Sequence, residues 1–296
     1  MSNSPLGSSA KLVKSYVDLA NTLFIQNDIE GAIKNFEKAL NVSEGITETQ
    51  RAKLLFNVGV MHQKQGDRPQ AVDYYQQALV ADSTLALAQL ELQRLDYEDN
   101  IKFKGYEFTQ DWFSRNLLIW REYLPEFVGR ADLNVLEIGS WEGRSACWLL
   151  EQVLTHPTAE ITCIDTFQGS LENQSLNPED LHALEARFDA NMAKTGVANQ
   201  VKKLVGNSAE ILRSLPLNHY DLIYVDGSHI ACDVLTDTIL SWGLLKLKGI
   251  MIFDDYDFGF KEYGTRQGID AFLNNFAKKI EIVHQSHQVL IRKQVA

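Results

Sequence analysis

The sequence predicts two parts: a small all-α unit, then a doubly wound α/β unit whose seven-stranded, mostly parallel sheet closes with an antiparallel terminal hairpin. Three observations predict this. Helical periodicity recurs in two superposable copies within the first 82 residues, short apolar runs alternate with helical stretches from Ala131 onward, and the first five of those runs each end in a glycine or polar turn.

The 296 residues suffice for two domains, and 45% hydrophobic against 23% charged residues is ordinary for a globular protein. A net charge of -11 argues against nucleic acid or an anionic membrane as a general partner, since neither is attracted to an acidic surface. The polar, Ser-rich start from Met1 to Ala10 has no apolar signal core, and no later stretch approaches a membrane span, so a cytoplasmic location is the expectation. Cys147, Cys163 and Cys232 stand far apart in apolar runs and are expected as buried free thiols; no zinc spacing appears.

Residues 1–10 are expected as a disordered tail and 11–96 as helical repeats. The run Ala32, Phe36, Ala39 superposes on Ala71, Tyr75, Ala78: an alanine, an aromatic four on, an alanine three further. This small-large-small spacing lies on one helix face and lets a second helix pack closely. Leu19-Ala20 and Val58-Gly59 hold the matching places upstream, and Gln26-Asn27-Asp28 and Gln65-Gly66-Asp67 supply the turns. These residues resemble the tetratricopeptide repeat. The offset of 39 residues between Ala32 and Ala71 exceeds the usual period of about 34, an excess that the Ser43 to Thr49 loop absorbs, and both copies lack the usual closing proline. Thr84 to Leu95 would cap the stack. The resemblance implies a surface for a protein partner or for self-association, against the plainer alternative of a helical appendage.

Residues 97–130 are expected as a linker and lead-in. Asp96 to Lys104 is charged, and Tyr106 to Val128 reads as one or two amphipathic helices bearing Trp112, Phe113, Leu117, Trp120 and Leu124. One or two of these aromatics would roof a ligand pocket. The third section, 131–296, has strand candidates at 133–138, 161–164, 201–205, 221–225, 250–253, 280–283 and 289–291. Right-handed βαβ units make the first five parallel, and the short connection around Ser286-His287 makes the last two a hairpin.

Ligands of such a sheet sit beyond the carboxyl ends of its strands. There stand Gly139-Ser140-Trp141-Glu142-Gly143, Asp165-Thr166-Phe167, Gly206-Asn207-Ser208, Asp226-Gly227-Ser228-His229 and Asp254-Asp255-Tyr256. Asp165, 28 residues after Glu137, is placed to accept hydrogen bonds from ribose hydroxyls. The first turn is Gly-x-x-x-Gly and lacks the spacing that cradles a pyrophosphate, so a nucleoside without diphosphate fits better.

On these residues the chain from about Tyr106 to Ala296 resembles a Rossmann-like class I S-adenosylmethionine-dependent methyltransferase. Within that class it is similar to the branch of metal-dependent sugar O-methyltransferases and cephalosporin-hydroxylase-like proteins, most of all in Asp226-Gly-Ser-His229 and Asp254-Asp255-Tyr256. The resemblance implies that Glu137, Gly139 and Ser140 approach the amino-acid part of S-adenosyl-L-methionine, Asp165 its ribose, and Asn207 and Ser208 its adenine. Gly143, Thr166, Phe167 and Asp226 are the further cofactor-binding residues it implies. It further implies a divalent metal, Mg2+ by its oxygen ligands, held by Asp226, Asp254 and Asp255; the plain alternative is that these aspartates cap helices or are solvated.

His229, three residues after Asp226, is the expected catalytic base. The acceptor would be a small-molecule or glycosylated hydroxyl compound. Two departures from the branch stand out: Ala231 occupies a place often aromatic, and Trp141 sits inside the glycine turn. Gly169 to Pro178 is either a lid or a solvated loop. Two other functions stay open: a non-catalytic interaction module that retains a nucleoside pocket, and a hydroxylase-like metal enzyme.

Overall fold

The computed structural model describes residues 5–42, 46–169, 177–257 and 264–295. The chain divides into two units, Met1–Asp99 and Asn100–Ala296. Four helices, α1 (Pro5–Ile25), α2 (Ile29–Asn41), α3 (Glu48–Lys64) and α4 (Arg68–Ala81), form two antiparallel pairs, and α5 (Ala86–Lys104) follows. Each pair turns where the sequence places a residue suited to left-handed backbone: Asn27 at φ 64° and Gly66 at φ 78°. The next residue then caps the second helix, Asp28 accepting from the Gly31 N–H at 2.9 Å and Asp67 from the Gln70 N–H at 3.3 Å. Ala32, Phe36 and Ala39 are buried in the first pair, Ala71, Tyr75 and Ala78 in the second. Gly59 is required by contact: a Cβ there would lie 2.6 Å from the Tyr75 ring.

Helix α1 begins at Pro5, inside the stretch expected as a tail. The charged stretch expected as a linker is helical too, because α5 continues to Lys104. Its charges have partners: Arg68 meets Glu98 at 3.2 Å and Asp99 at 2.7 Å, while Lys104 meets Glu151 at 3.4 Å.

In the second unit the expected amphipathic helices shrink to α6 (Leu117–Tyr123) and two single 3-10 turns, Ser114–Asn116 and Pro125–Phe127. Irregular backbone runs ahead of them. Then come β1 (Asn134–Ile138), α7 (Arg144–Gln152), β2 (Glu160–Asp165), α8 (Pro178–His182), α9 (Leu184–Thr195), β3 (Val201–Val205), α10 (Ser208–Leu212), β4 (Tyr220–Val225), α11 (Ala231–Leu244), β5 (Leu245–Phe253), α12 (Thr265–Phe276), β6 (Ile280–Gln285) and β7 (Val289–Lys293). The seven strands form one sheet in the order β3-β2-β1-β4-β5-β7-β6. Strands β1 to β5 are parallel, and β7 runs antiparallel between β5 and β6, as the terminal hairpin requires. The order reverses between β1 and β4, which places the switch point there.

The sheet core is apolar and fully buried around Leu136, Ile138, Ile223, Met251, Phe253 and Phe272. Cys147 and Cys163 are buried in this unit, as expected, but Cys232 is exposed on the first turn of α11. No helix among the described residues is long and apolar enough to cross a membrane.

Candidate active site

The parallel ladder continues one residue past the strand ends. Gly139 N–H donates to Ile164 O at 2.8 Å, Asp226 N–H to Ile138 O at 2.8 Å, Gly206 N–H to Asp165 O at 2.9 Å, and Asp254 N–H to Val225 O at 3.1 Å. The turns that follow the five strands are therefore held side by side. They border one cavity of about 610 Å3, lined by Gly139, Trp141, Asp165, Thr166, Asn207, Ser208, Asp226, His229, Asp254 and Asp255, with Asp111, Trp112 and Arg115 from the lead-in.

Gly139 has no room for a side chain: at φ 85°, a Cβ would lie 1.9 Å from the Asp226 carbonyl oxygen. Gly143 caps α7 at φ 80°, and a Cβ there would meet Met192 at 2.5 Å. Asp165 accepts the Trp141 N–H at 2.8 Å and the Phe167 N–H at 2.7 Å, so the first two turns are tied together through one carboxylate. Burial raises its pKa while these backbone donors oppose the rise. Ser208 donates to Asp237 at 2.8 Å, and burial pushes the Asp237 carboxyl up to about 6.

Four expected cofactor residues do not border the cavity. Glu137 is fully buried beneath the turn, accepts from Ser145 Oγ at 2.6 Å, and is pushed by burial to about 7. Ser140 is buried beside it. Gly143 starts α7 from behind, and Phe167 packs on Phe188 with ring centres 5.2 Å apart. They shape the turns rather than face the space between them. The segment expected as a lid lies for the most part outside the described residues.

The acidic end differs from expectation in one respect. Asp254 borders the cavity and is held from three sides: its Oδ2 accepts from Asn116 Nδ2 at 3.0 Å and from the Tyr224 hydroxyl, and its Oδ1 accepts the Asp255 N–H at 2.8 Å. The donor atoms that converge within 4.8 Å of one another belong instead to Asp226, His229 and Asp255. Asp255 reaches them through left-handed backbone at φ 53°, which turns it away from its neighbour. His229 Nε2 lies 2.9 Å from Asp255 Oδ2, and Tyr224 also donates toward Asp226 Oδ2 at 2.8 Å.

Burial, then Asp254 and Asp255, raise the pKa of Asp226 well above the carboxylate range; burial and Asp255 raise Asp254 to about 6. Two carboxylates and an imidazole meeting beside buried negative charge make a donor set that fits a divalent cation. Mg2+ would be held by Asp226 and Asp255, with Asp254 behind them.

Asn116 and Arg115 carried no sequence signal, whereas Trp112 is one of the lead-in aromatics the sequence singles out. Asn116 is fully buried, and its Oδ1 faces His287 Nε2 at 3.0 Å. Arg115 meets Asp257 at 3.0 Å and Asp255 at 3.8 Å. Trp112, half exposed, stands against Trp141 with ring centres 5.2 Å apart, which realises the expected roof. The lead-in is fastened above the glycine turn by Glu142, which accepts from Thr109 N–H at 2.7 Å and pairs with Arg187 at 2.5 Å.

Residues 136–256 match the model of a methyltransferase domain, and residues 12–82 match that of the tetratricopeptide repeat. No match was found among curated proteins. Solved structures similar to this chain include an O-methyltransferase from Bacillus cereus in complex with SAH. It is 12% identical with a TM-score of 0.47, over 67% of this chain and 90% of that one. Another is a putative caffeoyl-CoA O-methyltransferase from Staphylococcus aureus, 18% identical with a TM-score of 0.42, over 70% of this chain and 92% of that one.

Proposed function

We propose that this chain, an S-adenosylmethionine-dependent methyltransferase bearing tetratricopeptide repeats, methylates a hydroxyl group of a sugar or other vicinal diol. The observation that carries the reading is that Gly139, Asp165, Asp226 and Asp255 border one shared cavity. When bound, the cofactor supplies an electrophilic methyl group on a sulfonium, and a divalent cation supplies a Lewis acid for adjacent hydroxyl oxygens. Asp165 binds the ribose, with Asn207 and Ser208 at the adenine and Gly139 at the amino-acid end.

Asp226 and Asp255 fix the acceptor's end of the cavity, and Trp112 and Trp141 cover it against water. His229, whose Nε2 lies 2.9 Å from Asp255 Oδ2, is the side chain assigned to take the hydroxyl proton. With the cofactor bound, methyl transfer to that oxygen would leave an ether and a neutral thioether.

A second reading of His229 is favoured by its place within 4.8 Å of both carboxylates: it is a cation ligand rather than the base. The variant His229→Gln separates the two. As base, it loses turnover by about 100-fold or more at unchanged Mg2+ affinity; as ligand, it loses Mg2+ affinity. A panel of glycosylated and catechol acceptors that yields no methylated product, with cofactor bound, would overturn the proposed reaction.

A further inference from the structure

Asn116 lies 138 residues before Asp254 and outside the matched methyltransferase domain, yet it touches the acidic cluster at its most buried point. Its amide has no freedom to turn. One side must present N–H to the Asp254 carboxylate at 3.0 Å, which leaves Oδ1 facing His287 Nε2 at 3.0 Å. His287 must therefore carry its proton on Nε2. Burial and the nearby Arg115 guanidinium lower its pKa, which agrees with a neutral ring.

His287 is itself anchored in the β6–β7 turn, because its carbonyl accepts the Tyr256 N–H at 2.9 Å. Next to it, Gln288 accepts from Trp120 Nε1 at 3.0 Å. The series then runs onward: Asp254 Oδ1 accepts the N–H of Asp255, the residue with left-handed backbone at φ 53°. Such a conformation is uncommon for a non-glycine residue. Here the N–H of that residue is held by a carboxylate that Asn116 and Tyr224 hold from the other side.

We propose that Asn116 and His287 are positioning residues: His287 sets the Asn116 amide, Asn116 sets Asp254, and Asp254 holds the turn that presents Asp255 to a divalent cation. The inference rests on the cation reading above. It makes Asp254 a buttress and gives the terminal hairpin a part in the site. Groups of this outer kind change metal affinity by about 10–100-fold when removed.

The test is direct titration of the full-length protein with Mn2+ alone, without acceptor, followed by calorimetry with S-adenosylmethionine as a check on the other end of the cavity. Asn116→Ala is expected to weaken Mn2+ binding by about 10–100-fold with cofactor affinity unchanged. His287→Ala should weaken it in the same direction. His287→Gln, whose amide nitrogen matches Nε2, should restore affinity to within about threefold of the parent protein, because the outer contact that carries the effect is remade. If Asn116→Ala does not fold, the contrast between His287→Ala and His287→Gln carries the result. Parent-like Mn2+ affinity in folded Asn116→Ala, or equal affinities in the two His287 variants, overturns the proposal. Failure of the parent protein itself to bind Mn2+ removes the cation reading and this inference with it.

Discussion

A carboxyl group at the floor of the site gives the clearest pH signature. Glu137 has a folded pKa near 7 against an ordinary 4.5, so the fold favours its neutral form. That contribution to stability is complete below pH 4.5 and is lost as pH rises from there through 7. Glu137→Gln keeps the shape and cannot ionise. It should leave stability unchanged at pH 4 and raise it by up to about 3 kcal/mol at pH 8, read from denaturant midpoints at the two pH values. A variant equally stable or weaker at pH 8 would show that the buried carboxylate is better compensated than its surroundings suggest. At this scale the residue types at the strand ends were legible, and their directions were not. Asp254 and Asp255 are neighbours that look alike in sequence, but one faces Asn116 and the other His229. The cause is one left-handed residue and a partner 138 positions away, and neither leaves a local pattern.

Among the elements, repeat packing and strand order follow from spacing because each is a short-range property. The alanine-aromatic-alanine faces are buried as their period implies, and five strand ends are adjacent because parallel crossovers leave few other orders. Gly59 tests the first point. Gly59→Ala puts a Cβ against the Tyr75 ring and should cost the repeat unit about 1–3 kcal/mol, visible as a lower denaturation midpoint of the helical signal. Parent-like stability would mean that the α3–α4 contact yields easily. Two elements escaped the sequence for physical reasons. Charges that look like a linker are ion-paired along α5, and Trp112 and Phe113 of the lead-in are spaced for a helix but lie in irregular backbone ahead of a single turn. Glu142, Asn191 and Glu151, all distant in sequence, accept the hydrogen bonds that hold that irregular course.

For the whole molecule, the two units place different demands on experiment. The first unit matches the model of the tetratricopeptide repeat, and the sheet unit matches that of a methyltransferase domain. The net charge of -11, with aspartates gathered at the cavity, suits a neutral or cation-bridged acceptor better than a free anion. Mg2+ should therefore strengthen acceptor binding, and its removal by a chelator should reduce methylation by tenfold or more while leaving cofactor affinity within about twofold, since only the acceptor end depends on it. Equal methylation in chelator would remove the cation from the account. The claim on which all of this depends is that a nucleoside sulfonium occupies the cavity at the strand ends. Calorimetry of the full-length protein with S-adenosylmethionine tests it most directly: the parent protein should bind one equivalent and Asp165→Ala none, whereas no binding by the parent, or parent-like binding by the folded variant, would contradict it.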